Sequence, residues 1–438
     1  MAPQLDGIIP SNLWSRLILQ VGDYNAAIRH GIIAMAALDV TSKVARMNNQ
    51  KPTTPDIEGH HHYALQQYNL AIRNMRNSLS KGEQDLATTL ITCLIIIYFE
   101  TFQGNHEGAF AHITTGVRII SEQFSKTGNL HQKYTEGISS AVLSSVDDDL
   151  MRAFVRLDIQ AMSFVHEQVI GFKLDAHAAA TAGLSGMPTR FRSLKEARNY
   201  LELILMYILK LISSVMPEDT DDGDIWSQSC HNIVASLGDR TLYYLTAIHR
   251  WHDAFQPLLT EARTYQGRSN FLGATNLIYQ YMQIWFALEI LPCNGAPREM
   301  KDFMPFFREM VTLGRRILQH PDANPNGCLF TMDFPIIPSL YMVGTRCPHS
   351  GVRREAIDIL LSMRRRERLW DGSTAGKLAQ KIMCIEEENI EGEYVPEDMR
   401  ITRMGLKFDM KTRTVIATGM MPRKGRMEPI LVKEDLHW

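Results

Sequence analysis

Two dipeptides, His106-Glu107 and His166-Glu167, begin like the helix of a zinc protease, in which a second imidazole one turn on meets the same metal. The positions that would supply that imidazole hold Phe110 and Ile170. One imidazole is not a Zn2+ site, so both pairs read as solvated helix surface. His60, His61 and His62 are adjacent, and adjacent residues on a helix point in different directions. The triplet reads as a polar helix entrance. Asp219, Asp221, Asp222 and Asp224 suggest a calcium loop, but Gly223 stands one place early and Cys230 fills the twelfth position, where a bidentate Glu is required.

Phosphate chemistry has no anchor, because neither G-x-x-x-x-G-K-[ST] nor G-x-G-x-x-G occurs. Gly183, Leu184, Ser185 and Gly186 fall one residue short of a nucleophile elbow. The sequence therefore yields no catalytic, cofactor-binding, metal-ligating or DNA-contacting residue, and the expectation is a protein that is not an enzyme. Arg364, Arg365, Arg366 and Arg368 form a basic run, but Glu367 interrupts it and Ile357, Leu360, Leu361 and Leu369 surround it at helical spacing. It reads as a structural helix carrying cations toward its C-terminus. Arg423, Lys424 and Arg426 are a second, unspecific basic cluster.

Lys plus Arg total 46 against 48 Asp plus Glu, a net charge of −2. Such a balance lacks the cation excess of a dedicated nucleic-acid-binding chain. Apolar residues make up 45% and charged ones 21%, ordinary globular usage. The start, MAPQLDGIIPSNLW, carries an acid and two prolines where a secretory signal has a basic and then an apolar region, so an intracellular protein is expected. The longest apolar run, Leu90 to Phe99, is shorter than the ~20 residues that cross a bilayer and reads as a buried core helix. Six cysteines stand singly, which predicts reduced thiols and no disulfide framework.

The elements that carry these residues are helices. Leu65, Tyr68, Ile72, Met75 and Leu79 recur at steps of three and four, and Gln84 to Phe102 is apolar on every side. Gly104 and Asn105 mark a turn, after which Phe110, Ile113, Val117 and Ile120 outline an antiparallel return. Asp147 to Asp149 favour a helix start before Leu150, and Ser193 with Glu196 forms a capping box. Further helical series cover Ile233 to Leu259, Ser269 to Ile290, Met304 to Leu318 and Arg353 to Leu369. Gly171 to Arg190 reads as a surface connection, MGLKF and TVIAT as a short β-hairpin, and the tail from Met421 as polar and partly mobile. The expected architecture is all-α, an antiparallel array of helical hairpins. It divides into a partly helical segment 1–59, a helical body 60–400 and an extension 401–438.

Several stretches, taken in order, resemble the fungal-specific transcription factor domain that follows a binuclear zinc cluster. YALQQYNLAIRNMRNSL at 63–79 resembles its Leu-Gln-Tyr-x-x-Ala-Ile helix, and the run to Phe99, Glu100, Gly104 and Asn105 its Phe-Glu-x-x-x-Gly-Asn ending. His112 to Ile120 resembles the following His-Leu-x-x-Gly helix, and LMRAFVRLDIQ, with Arg156 and Asp158, the Phe-x-Arg-Leu-Asp helix. FRSLKEAR, then Arg353 and Arg354, then Trp370 and Asp371, then Ile385 to Glu388, complete the succession. The resemblance implies a nuclear regulator of metabolic or secondary-metabolite genes, with the cytoplasm as the alternative site. It implies protein partners, either a full-length zinc-cluster factor or a second copy, and a small-molecule effector of unknown identity.

The sequence departs from that family at the DNA-binding head. A binuclear cluster needs six cysteinates in C-x2-C repeats, whereas the nearest cysteines here are Cys328 and Cys347. Zinc and specific DNA binding are therefore not expected of these residues. A shortened product of a full zinc-cluster gene and a helical accessory protein or enzyme of a biosynthetic pathway are the alternatives.

Overall fold

The structure, a computed structural model, describes the chain outside residues 1–4, 6, 7, 10, 48–54, 83, 84, 127–147, 165–182, 216–224, 291–298, 321–329, 332–335, 364, 365, 368, 369, 389, 410, 411, 413, 424, 425 and 436–438. Helices dominate, as the periodicity predicts, and a small antiparallel sheet ends the described chain. A π-helical turn, Leu13–Leu17, leads into α1 (Ile18–Tyr24), followed by α2 (Ala26–Met47) and α3 (Pro55–Ser80). α2 and α3 pair along their lengths, where His30 Nδ1 lies 2.7 Å from Gln67 Oε1. α4 (Leu86–Gln103) begins at Asp85, whose carboxylate accepts from the Thr88 amide at 2.8 Å.

α4 is long and apolar enough, by length and composition, to cross a membrane. Here it packs against α2, α5 (His106–Lys126) and α6 (Asp148–Phe164), with 12 of its 18 residues buried. That fits a helix apolar on every side, which is stable in water only when other elements surround it. Trp14, Ile28, Leu94, Val117 and Phe154 form the first core around it.

α7 (Leu194–Val215) and α8 (Ile225–Ala262) build a second core with one side of α9 (Phe271–Glu289). The other side of α9, through Tyr279 and Phe286, enters a third core. There it meets α10 (Met304–Gln319), α11 (Ile337–Arg346), α12 (Ser350–Ser362) and α13 (Gly372–Glu387). α9 is thus the seam between two cores.

Three expectations are corrected. The helix expected over Arg353 to Leu369 stops at Ser362, and Arg366 and Glu367 form β2 (Arg366–Glu367), beside β1 (Phe330–Thr331) and β3 (Trp370–Asp371). Pairing with β1 and β3 outweighs the local helical spacing. The expected hairpin forms as β4 (Thr402–Asp409) and β5 (Thr414–Arg423), but β6 (Arg426–Asp435) extends it to three strands, so the tail expected to be partly mobile supplies a strand. Val432 is buried there, in the alternating pattern of a strand with one face on a core. In the connection expected on the surface, residues 171–182 lie outside the described residues, but Leu184 and Met187 are buried in the second core.

Candidate functional site

The motif residues gather at three corners where helices end. At the first, Gly104 closes α4 in the left-handed conformation, φ 78°, which costs glycine nothing for want of a Cβ. Asn105 then serves both helices: its Nδ2 donates to Glu100 at 2.6 Å, and its Oδ1 accepts from the Gly108 amide at the start of α5. The Tyr68 hydroxyl from α3 also donates to Glu100, and its ring stacks on Phe99 at 4.0 Å. Burial, and then the bond to Glu100, holds the Tyr68 phenol far above its ordinary range. Burial also lowers His112 nearby, against the opposing pull of Glu100.

The second corner joins α6 to α7. Arg198 Nε donates to Glu202 at 2.7 Å, and Arg156 Nη1 lies 3.7 Å from the other oxygen of the same carboxylate. Asp158 is fully buried in α6. Asp149, at the start of that helix, lies 2.6 Å from Lys195 and accepts from the Asn12 amide. The capping box forms in altered shape: Ser193 Oγ accepts from the Glu196 amide, whereas Glu196 reaches back to the amide of Arg192. A cavity of about 350 Å³ opens beside this helix start, lined by Ile9, Arg192, Leu194, Lys195, Leu258 and Gly273 among others.

The third corner is charged and closed to solvent. Arg353, with no exposed side-chain surface, donates through Nε to the Gly344 carbonyl at 2.9 Å, and its Nη1 lies 2.7 Å from Glu386, equally buried. Arg400 reaches the Thr345 and Arg346 carbonyls, so two guanidinium groups meet the negative end of α11. Glu386 also accepts from the Ile401 amide at 2.7 Å, fixing the chain as it enters the sheet. Burial lowers both Arg346 and Arg400. Arg354 forms the surface counterpart, 2.5 Å from Glu387. Asp371 caps α13 by accepting from the Thr374 amide and hydroxyl, and Trp370 packs on Tyr341.

One residue links the third region to the first. Arg366, pushed down to about 10 by burial, points its guanidinium at the carbonyls of Thr101 and Phe102 at the end of α4, at 3.4 and 3.5 Å. Beside it Glu367 accepts from the Ile337 amide at 2.7 Å and so caps α11. Sequence reading places Phe99 to Asn105, Arg156, Arg353, Arg354 and Asp371 in motifs but does not find these partners. Glu202 alone carried a local signal, standing four residues after Arg198; Arg366 and Arg400 act on segments distant in sequence.

Of the residues considered for metal chemistry, His60, His61, His62 and Glu107 are described, and they form no cluster that could hold a metal ion. His61 bonds Gln103 and His62 bonds Gln66. Glu107 is exposed at the start of α5, and His166, Glu167 and the acidic loop at 219–224 lie outside the described residues. Among the described residues no group of three or more His, Cys, Asp or Glu is placed to hold a metal ion. Cys93 and Cys347 are buried thiols raised to about 11, and Cys384 is exposed. The chemistry at the three corners is that of helix capping and cross-linking: Arg156, Asp149, Arg353 and Arg400 join one element to another, while Arg198 and Glu202 brace α7 itself.

Comparison with known proteins accords with this. The chain is 21% identical to the aspercryptin biosynthesis cluster-specific transcription regulator atnN of Emericella nidulans, over 90% of this chain and 74% of that protein. No solved structure matches it. Residues 4–240, which carry the first two corners and more than half of the sequence, match the fungal specific transcription factor domain, and the chain belongs to that family.

Proposed function

We propose that this chain regulates transcription of a biosynthetic gene cluster from the nucleus, acting through protein partners rather than as an enzyme. The observation that carries the reading is the family domain over residues 4–240, whose motif residues hold a helical array together. The relative named for a biosynthesis cluster supports the choice of target genes. These 438 residues contain no C-x2-C pair that could hold a zinc cluster, and the reading assigns contact with DNA to a partner, either a zinc-cluster factor or another protein bound to one.

The test has two parts. Deleting the gene should change the transcripts of one contiguous set of biosynthetic genes together, and an unchanged transcriptome would refute the regulatory role. The purified chain, titrated against duplex DNA of those promoters at near-physiological salt, should show only weak binding that is indifferent to sequence and fades with salt. A tight sequence-selective complex would overturn the assignment of DNA contact to a partner.

A further inference from the structure

The apolar stripe of α3 is only half used by the fold. Ala64 and Ala71 are the described residues that α3 buries, on a helix that pairs closely with α2. Small side chains there let the two helices approach closely, and they rotate the larger apolar residues to one side. Leu65 and Leu79 remain 36% and 48% exposed, Ile72 and Met75 are half-buried, and none of these four belongs to a core cluster. With Tyr68, which packs on Phe99, they follow steps of three and four, the spacing that a partner helix reads as a seam.

The charges beside the seam have one sign. From Gly59 to Gly82 the sequence contains no Asp or Glu, while Arg73, Arg76 and Lys81 are exposed and make no ion pair among the described residues. Arg76 follows Ile72 by four and precedes Leu79 by three, so it stands on the solvent side of the stripe. We propose that α3 is a docking surface for an acidic amphipathic helix of another protein, whose apolar face covers Leu65, Ile72 and Leu79 and whose carboxylates meet Arg73 and Arg76. A second copy of this chain is disfavoured as occupant, because the acids of α3, Asp56 and Glu58, stand in its first turn, outside the stripe from Leu65 to Leu79, so that α3 against α3 would bring arginine to arginine along the seam. The proposal goes beyond the regulatory reading and stands on the burial and charge of α3.

A photo-crosslinking amino acid at Leu65 or Leu79 of the full chain, in the fungal cell, reads the occupant directly when the linked peptide is sequenced. The expected product is a segment of another protein with apolar residues at helical spacing and flanking Asp or Glu. The double variant Arg73→Glu with Arg76→Glu should lower the yield by about tenfold with an unchanged melting temperature, since both side chains are exposed. A synthetic peptide of the linked segment should bind the purified chain and lose binding to the same variant. A product from a second copy, lipid, a basic segment, no product at either position, or a yield indifferent to the arginines would each overturn the proposal.

Discussion

The core around α4 and the core around α12 and α13 are equally closed to water but are specified by different physics. The first is held by shape and solvent exclusion: Ile91, Leu94, Ile96 and Phe99 present no polar atom beyond the helix backbone. The second contains Arg353 and Glu386, charges that lose their hydration and meet instead each other, the Gly344 carbonyl and the Ile401 amide, with Arg346 and Arg400 near enough to act on Glu386. An apolar core tolerates small shifts of one helix over another, whereas a buried ion pair is satisfied in one arrangement. The difference teaches that α4 supplies stability, while the Arg353 corner fixes how α11, α12, α13 and the sheet meet.

The most severe way to test the first half of that contrast is Ile96→Asp. The side chain is 1% exposed, and a carboxylate there has no partner, at a cost of several kcal/mol against the ~5–15 kcal/mol stability of a domain. We expect loss of the cooperative melt followed by circular dichroism. An unchanged transition would show that α4 is not the centre of its core.

The second half is tested by Arg353→Met, which leaves Glu386 buried without its guanidinium and should destabilise by about 3–5 kcal/mol in chemical denaturation. Adding Glu386→Leu should recover most of that loss, because an apolar pair needs no hydration. If the double variant is as unstable as the single one, packing rather than charge accounts for the corner. Glu202→Gln is a milder case, since the amide keeps its shape and one acceptor oxygen but no longer carries the charge facing Arg198 and Arg156. A loss of about 1–3 kcal/mol is expected, and none at all would remove the second corner from the structural account.

How much of this was legible in the sequence follows the same division. The all-round apolar run of α4 and the three-and-four spacing of α5 announced their burial, and Gly104 with Asn105 announced the turn, because those signals lie within a few residues of one another. Arg353 and Arg354 were visible as a motif, but their partners lie 33 residues on, and the partners of Arg366 lie more than 260 residues back. Spacing along the chain says nothing of such pairs. β6 was missed for a related reason: Ile430 and Val432 alternate as a strand requires, but Pro429 and the neighbouring charges mask the pattern, and only pairing with β5 makes it a strand.

A pH titration sharpens the contrast further, because burial acts on a histidine in each of the first two regions. Burial lowers His112 and His252 below the ordinary value of about 6.5, so the folded state favours their neutral form. Their contribution is present above that pH and is lost as the pH falls below it, when the unfolded chain takes up protons that the folded chain resists. The melting temperature should therefore decline between pH 7 and 5, and less steeply in His112→Gln. An equal decline in that variant would assign the effect to other groups.

The smallest effect is expected at Arg354→Ala, one residue from the most charge-sensitive position of the third core. Arg354 lies 2.5 Å from Glu387, as close as Arg353 lies to Glu386, but its side chain is 54% exposed. Distance alone would rank the two pairs together. Solvation separates them: water reaches the Arg354 guanidinium, although Glu387 is only 13% exposed, so the loss should be about 1 kcal/mol, well below that at the closed inner pair. A double-mutant cycle with Glu387→Ala isolates that coupling from any change in packing. A coupling as large as that between Arg353 and Glu386, measured in the same way, would mean that the outer pair is shielded from solvent, and burial would then cease to explain why the two arginines differ.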